Sequence, residues 1–286
     1  MLDSTVHDLL RDSSDILREA GVDTPILDSE VMLAHALACT RTELIAHPER
    51  HPSQEEVACF ARQMERRARR EPLAYILGEK EFYGISFEVS PAVLIPRPET
   101  EILVEVLIDH AGSLDSPRIA DIGVGSGAVA VSLAKSLPSA VVYGTDVSDA
   151  ALEVAGRNAE RACVKERVRL LKGDLLDPLA GMEFDLIVSN PPYIPSGEVE
   201  GLPPEIAKFE PRESLDGGPD GLHYYRRLTA EGPKYLEDEG LLAVEAGIGQ
   251  ADSVKKLFEE HGLHDIRAVR DYGGVERVVL GRKCCG

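Results

Sequence analysis

"RIADIGVGSGAVAVSLA", residues 118–134, carries the reading of the fold. A short apolar run ends at Asp121, glycines follow at Gly123, Gly125 and Gly127, and a helical pattern of alanine and valine begins at once. Glycine at such a strand-to-helix turn lets the backbone bend tightly and approach a ligand with no side chain between. Six more apolar runs come after it: "AVVYGTDVS", "VRLLKGD", "FDLIVSN", "GLLAVEAG", "DIRAVRD" and "ERVVLG". Helical patterns over 126–137, 148–163 and 250–261 fill most of the gaps. The alternation predicts a doubly wound, mostly parallel α/β sheet of seven strands. Only "YGG" and its neighbours separate the last two runs, too short a link for a parallel crossover. The last strand is therefore expected to run antiparallel.

Residues 1–72 read differently, as a small helical domain. Val6, Leu9, Leu10, Ile16, Leu17 and Ala20 follow the spacing of one buried helix face, stopped by Gly21. Val31, Leu33, Ala34 and Leu37 suggest a second helix after Pro25. Thr40-x-x-Glu43 and Ser53-x-x-Glu56 have the form of capping boxes that open two more. The last passes through Val57, Phe60, Ala61 and Met64 and is over by Glu71, because Pro72 forbids continuation. Residues 73–95 turn to strand-like composition with glycine punctuation, and are read as a β-hairpin connector to a third segment, 96–286.

Composition narrows the function classes. Of 286 residues 43% are hydrophobic, enough for a sizeable core, and the formal net charge is −19. Non-specific nucleic-acid binding rests on a Lys/Arg footprint that so acidic a chain lacks overall. No window has the length and apolarity of a membrane span, and the N-terminal stretch lacks the pattern of a secretory signal, so a cytoplasmic protein is expected. Cys39, Cys59, Cys163, Cys284 and Cys285 show no CxxC spacing, which speaks for reduced thiols and against a zinc site.

The candidate site is a series of strand ends. The loop Asp121-Ile122-Gly123-Val124-Gly125-Ser126-Gly127 is GxGxG rather than the GxGxxG of dinucleotide folds, and an acid stands just before it. A carboxylate there would repel a pyrophosphate but suits an ammonium or sulfonium, which favours S-adenosylmethionine (SAM). Asp146 closes the second strand, about 20 residues past the glycines, where an acid holds ribose hydroxyls or caps the next helix. Asp174 closes the third. It is either a turn aspartate or an acceptor for the adenine amino group, with Leu175 against the ring. Asn190-Pro191-Pro192-Tyr193 closes the fourth as a stiff, unpaired corner. An Asn-Pro corner alone is an ordinary turn, but this one projects from the same sheet edge as the three other groups.

A DxGxGxG loop with NPPY after the fourth strand resembles the class I, Rossmann-like SAM-dependent methyltransferases that methylate a nitrogen conjugated to a π system. Within them, "LIPRPETE" (94–101), "NPPYI", "EPRESLDGGPDGL" (210–222) and "DYGGVERVV" are similar to the HemK/PrmC group of peptide-chain release factor glutamine N5-methyltransferases. Val124 stands where that group often has threonine. The resemblance covers nearly the whole chain and implies methylation of the glutamine in a release factor's Gly-Gly-Gln loop. It implies that Asn190, Pro191 and Tyr193 act on the substrate amide beside Pro192, and that Asn190 also borders the cofactor.

Two stretches stay open. Pro96-Arg97-Pro98-Glu99 is either part of the signature or a fixed domain junction. Arg62, Arg66, Arg67, Arg69 and Arg70 are either a solvated helix face or a docking surface for the release factor or another acidic partner. The rival function is methylation of an exocyclic amino group of a DNA or RNA base. The same NPPY chemistry serves there, but a basic groove or recognition domain is wanted. A second rival is a SAM-fold binding module without activity.

Overall fold

A computed structural model describes residues 4–112 and 114–285. Helices come first: α1 (Val6–Glu19), α2 (Pro25–Ala36), α3 (Arg41–Ala46), α4 (Gln54–Ala68) and α5 (Leu73–Leu77). A hairpin follows, β1 (Glu79–Phe82) and β2 (Ile85–Glu88), then α6 (Glu101–Ala111). The alternating part runs β3 (Arg118–Ile122), α7 (Ala128–Ser136), β4 (Val141–Asp146), α8 (Asp149–Arg161), β5 (Val168–Lys172) and β6 (Phe184–Ser189). It ends with α9 (Pro204–Phe209), α10 (His223–Glu231), β7 (Leu236–Glu245), α11 (Ala251–Glu260), β8 (Leu263–Arg270) and β9 (Glu276–Lys283). Two compact units result: Met1–Gly78 with Pro203–Phe209, and Glu79–Leu202 with Glu210–Gly286.

In the helical unit both expected capping boxes form, Thr40 with Glu43 and Ser53 with Glu56, and a third opens α1 at Thr5 and Asp8. The buried face of α1 is the expected one except at Ile16, with Leu9, Leu10 and Ala20 packed against the core. Val6, Ser13, Ser14 and Leu17 are inside, and Ile16 is exposed. The two serines tolerate burial because each donates its hydroxyl to the Leu10 carbonyl one turn back. Leu73–Leu77 is helix α5, not the strand that its composition suggested. The carbonyl of Pro72 accepts the Tyr75 and Ile76 amides, and Gly78 ends the turn at φ +79°. A short apolar run does not distinguish strand from helix by periodicity.

Three of the five arginines of the basic run are paired within the helical unit. Arg67 is buried and pairs with the buried Asp28 at 2.7 Å and with Glu205 of α9 at 3.0 Å. Arg70 grips both oxygens of Glu205, at 2.6 and 2.8 Å. Arg66 pairs with Glu71 and donates to the carbonyls of Tyr75 and Ile76 at the end of α5. Arg62 and Arg69 are the exposed members.

The hairpin is shorter than 73–95 and packs with the sheet unit. Phe82 and Phe87 lie edge to face, 6.0 Å apart, in the same buried cluster as α6 and α7. Asn158 of α8 ties it down, accepting from the Glu88 amide and donating to the carbonyls of Glu88 and Ser126. The large sheet has seven strands among the described residues, in the order β5-β4-β3-β6-β7-β9-β8. β3 to β7 pair in parallel, and β9 enters antiparallel between β7 and β8, as the short link before it requires. The order turns back at β3, so the carboxyl ends of β3, β4 and β6 meet where the sheet changes winding direction, the usual place for a ligand.

Removing one partner of a buried ion pair strands the other charge, at about 3–5 kcal/mol. Arg67→Ala is expected to destabilise the protein by about that much in urea unfolding, against less than about 0.5 kcal/mol for the exposed Arg62→Ala and Arg69→Ala. Equal effects at the three positions would contradict the internal role of Arg67.

Candidate active site

A pocket opens at these strand ends. Its wall includes the glycine loop from Asp121 to Ser126, Asp146, Asp174, Leu175, Asn190, Pro191 and Pro192, all expected from the sequence, while Gly127 and Tyr193 lie outside the lining. The loop is anchored by the amides of Gly123 and Val124, which both donate to the Thr145 carbonyl on β4 at 2.9 Å. Gly123, Gly125 and Gly127 all adopt positive φ, where other residues are strained. The Val124 side chain turns inward over Gly144, where a Cβ would come within 2.8 Å of it.

Asp121 is buried, and its Oδ2 accepts the Ala130 amide in the first turn of α7 at 3.0 Å. Burial pushes its carboxyl up to about 7, with the Ala130 bond opposing and the charge of Asp146 adding. Asp146 accepts the Gly125 amide on one oxygen and the Ser148 amide on the other, both at 3.0 Å. The helix cap itself is Ser148, whose hydroxyl accepts from Ala151. Each carboxylate oxygen has two acceptor sites, so Asp146 retains one per oxygen for a pair of hydroxyls. Asp174 is half exposed and held by both terminal nitrogens of Arg227 on α10, at 3.1 and 2.9 Å. Leu175 sits at φ +47°, with its carbonyl taken by the Thr145 hydroxyl. The arginine partner of Asp174 had no signal in the sequence, because 53 residues separate the two.

The corner at 190–193 is clamped from outside. The Ile194 amide donates to the Leu215 carbonyl, the Gly217 amide to the Ile194 carbonyl, and Gln250 Nε2 to the Tyr193 carbonyl. A Cβ at Gly217 would lie 2.7 Å from Tyr193 Cα, and one at Gly221 would lie 2.4 Å from the Tyr193 carbonyl oxygen. The glycines of "DGGPDG" are thus demanded by close backbone approach. Arg97 lines the pocket and bonds the buried Glu210 at 2.5 Å, while Glu210 also accepts the Ile95 amide. The "PRPE" and "EPRE" stretches therefore meet in one site.

Beneath Asn190 lie two residues that the sequence reading did not single out, Thr100 and Glu245. Asn190 Nδ2 donates to Thr100 Oγ1 at 3.2 Å, and Thr100 donates to Oε2 of the buried Glu245 at 2.6 Å. Tyr193 places its hydroxyl 3.5 Å from the other oxygen of Glu245. Burial pushes Glu245 up to about 7 and the Tyr193 phenol up to about 12. An acid at the carboxyl end of a strand was visible in "GLLAVEAG"; its bond to a threonine 145 residues earlier was not.

A clamped corner bearing an asparagine amide, beside a pocket with a buried acid and a glycine loop, suits transfer of a group from a cationic donor to an amide-like nitrogen. Residues 8–78 match the family model of the PrmC N-terminal domain, and residues 98–201 match that of the methyltransferase small domain. The chain is 45% identical over 278 residues to the release factor glutamine methyltransferase of Geobacter sulfurreducens, covering 97% of this chain and 96% of the relative. It is 42% identical over 271 residues to that of Caulobacter vibrioides, covering 95% and 94%. Among solved structures, a methyltransferase from Pyrococcus furiosus superposes with a TM-score of 0.54 at 21% identity, covering 77% of this chain and 99% of that one. A 16S rRNA guanine methyltransferase from T. thermophilus in complex with AdoMet and guanosine gives 0.52 at 19%, covering 72% and 49%. Both share the fold. On its identity to full-length relatives, the chain belongs to the release factor glutamine methyltransferase family.

Proposed function

We propose that this protein transfers the methyl group of SAM to the side-chain amide nitrogen of the glutamine in a release factor's Gly-Gly-Gln loop. The observation that carries the reading is Asn190, which lines the pocket on a clamped corner with its side-chain nitrogen held by Thr100. A glutamine amide is a poor nucleophile because its lone pair is delocalised into the carbonyl. Methylation builds positive charge on that nitrogen. Asn190 Oδ1 and the Pro191 carbonyl accept its two hydrogens and stabilise the charge as it grows. Tyr193 packs beside the planar amide. The prolines hold these acceptors in place, so little reorganisation is needed at the moment of reaction. No base is needed before attack, since the methylated nitrogen sheds its proton readily.

When bound, SAM supplies a methyl group activated by a sulfonium. Its fit is supported by the raised Asp121, which an adjacent cation would relieve, and by the free acceptor sites on Asp146. The glycine loop and Asp146 are assigned to the nucleoside and Asp121 to the cationic end. Asp174 and Leu175 are assigned to the base. The helical unit is assigned to docking the release factor, so an isolated loop peptide should react poorly beside the whole factor. Such a substrate puts the enzyme in the cytoplasm. Among the described residues no helix is long and apolar enough to cross a membrane.

Labelled SAM incubated with intact release factor should place the label on the loop glutamine, mapped by mass spectrometry. Label on a factor whose glutamine is replaced, or on RNA or DNA instead, would overturn the assignment. Asn190→Ala should lower kcat by about 10²–10³ with SAM affinity little changed, as loss of a preorganised polar group does. Asp146→Ala should show the opposite pattern, weakening SAM binding through hydrogen bonds worth about 1.5–3 kcal/mol each.

Asp121 adds a pH signature. Unliganded, it holds its proton up to about pH 7. A cation beside it favours the ionised form, so SAM binding below pH 7 should release a proton and tighten as pH rises through that value. Calorimetry at pH 6.5 in two buffers of different ionisation heat measures the release. Identical heats in the two buffers would rule it out.

A further inference from the structure

Thr100 occupies the N-cap position of α6, where a threonine hydroxyl ordinarily accepts an amide of the first turn, yet it makes no such cap. Its oxygen lies instead 2.6 Å from Glu245 Oε2 and 3.2 Å from Asn190 Nδ2. A hydroxyl has one proton, and an ionised carboxylate can only accept. Thr100 must therefore give its proton to Glu245, which leaves a lone pair facing Asn190. Only the NH2 end of the asparagine amide satisfies that lone pair. With its nitrogen engaged below, Asn190 shows its oxygen to the pocket. Turned over, the amide would set an NH2 against an incoming NH2.

We infer that Thr100 and Glu245 are positioning residues that fix the polarity of the Asn190 amide, so that its oxygen rather than its nitrogen meets the substrate. The inference rests on the proposed role of Asn190 as acceptor and adds the two groups that make it one. Protonation of Glu245 undoes the order. A neutral carboxyl can donate to Thr100, the threonine proton becomes free, and Thr100 no longer selects Asn190 Nδ2 over Oδ1.

The groups around Glu245 come from four directions. Arg277 of β9 favours the ionised form while paired to Asp271, and Glu99 ahead of α6 opposes it. Tyr193 approaches from the corner, and Tyr225 of α10 donates to the Glu245 backbone carbonyl at 2.9 Å. Burial outweighs the favourable partners and leaves the carboxyl at about 7, above the usual value for glutamate. The ordered state is thus present above that pH and lost as pH falls through it.

The test is kcat for methylation of intact release factor, at saturating SAM and factor, across pH 5.5–9. Saturation removes the effect of Asp121 on SAM binding. The wild-type profile is expected to fall on the acid side near pH 7. Glu245→Gln should run about tenfold slower and lose that acid limb, since a carboxamide does not titrate. Thr100→Val should lower kcat about ten- to a hundredfold with KM for SAM within about twofold, and Thr100→Ser should recover most of the rate. Calorimetric SAM binding identifies folded variants, and the threonine pair decides the matter if Glu245→Gln fails to fold. An unchanged acid limb in Glu245→Gln, or a Thr100→Val as fast as Thr100→Ser, would overturn the inference. Failure of the wild-type protein to label the glutamine would instead overturn the proposed function, so the two failures are distinguishable.

Discussion

Pro191 and Pro192 carry no amide hydrogen, so the corner that bears Asn190 has no ladder of its own to hold it. Its stiffness has to come from proline geometry and from neighbours that reach in. Those neighbours explain much of the chain that is remote from it in sequence. Leu215, Gly217 and Gln250 form its hydrogen bonds, and the missing side chains at Gly217 and Gly221 let the backbones approach. Arg97 and Glu210 join the segment before α6 to the segment that carries those glycines.

The sheet order gives the corner its chemistry. β6 lies between β3 and β7, and each of those strands ends near a buried acid, Asp121 on one side and Glu245 on the other. Burial holds both near neutrality, yet their partners differ. Asp121 caps α7 from the strand and lines the pocket, where a cationic ligand can change its charge. Glu245 faces inward to Thr100 and Tyr193, so its charge is a matter between protein groups. One acid is placed to sense a ligand, and the other to order an amide.

Much of this was legible in the sequence, for physical reasons that differ by element. The strands and their direction followed from apolar runs and link lengths, and the glycine loop, Asp146 and NPPY were found because each carries its signal within a few residues. The capping boxes at Thr40 and Ser53 are equally local. What was missed is long-range or ambiguous. Leu73–Leu77 is too short for periodicity to separate a helix from a strand. Ile16 fits an apolar face only until Ser13 and Ser14 are seen to satisfy their own hydroxyls. Thr100 looked like part of a motif and Arg67 like part of a charged surface. Their roles depend on Glu245, Asp28 and Glu205, which only the folded chain brings near.

The central claim is that the Asn190 acceptor is set before the substrate arrives. Nitrogen-15 NMR of labelled asparagine side chains reads this directly, with the Asn190 signal identified by its loss in Asn190→Ala. In the protein without substrate, at pH 8, the account predicts that the Asn190 proton engaged by Thr100 exchanges slowly with water and loses that protection in Thr100→Val. Rapid exchange of both protons that slows only when release factor is added would contradict it.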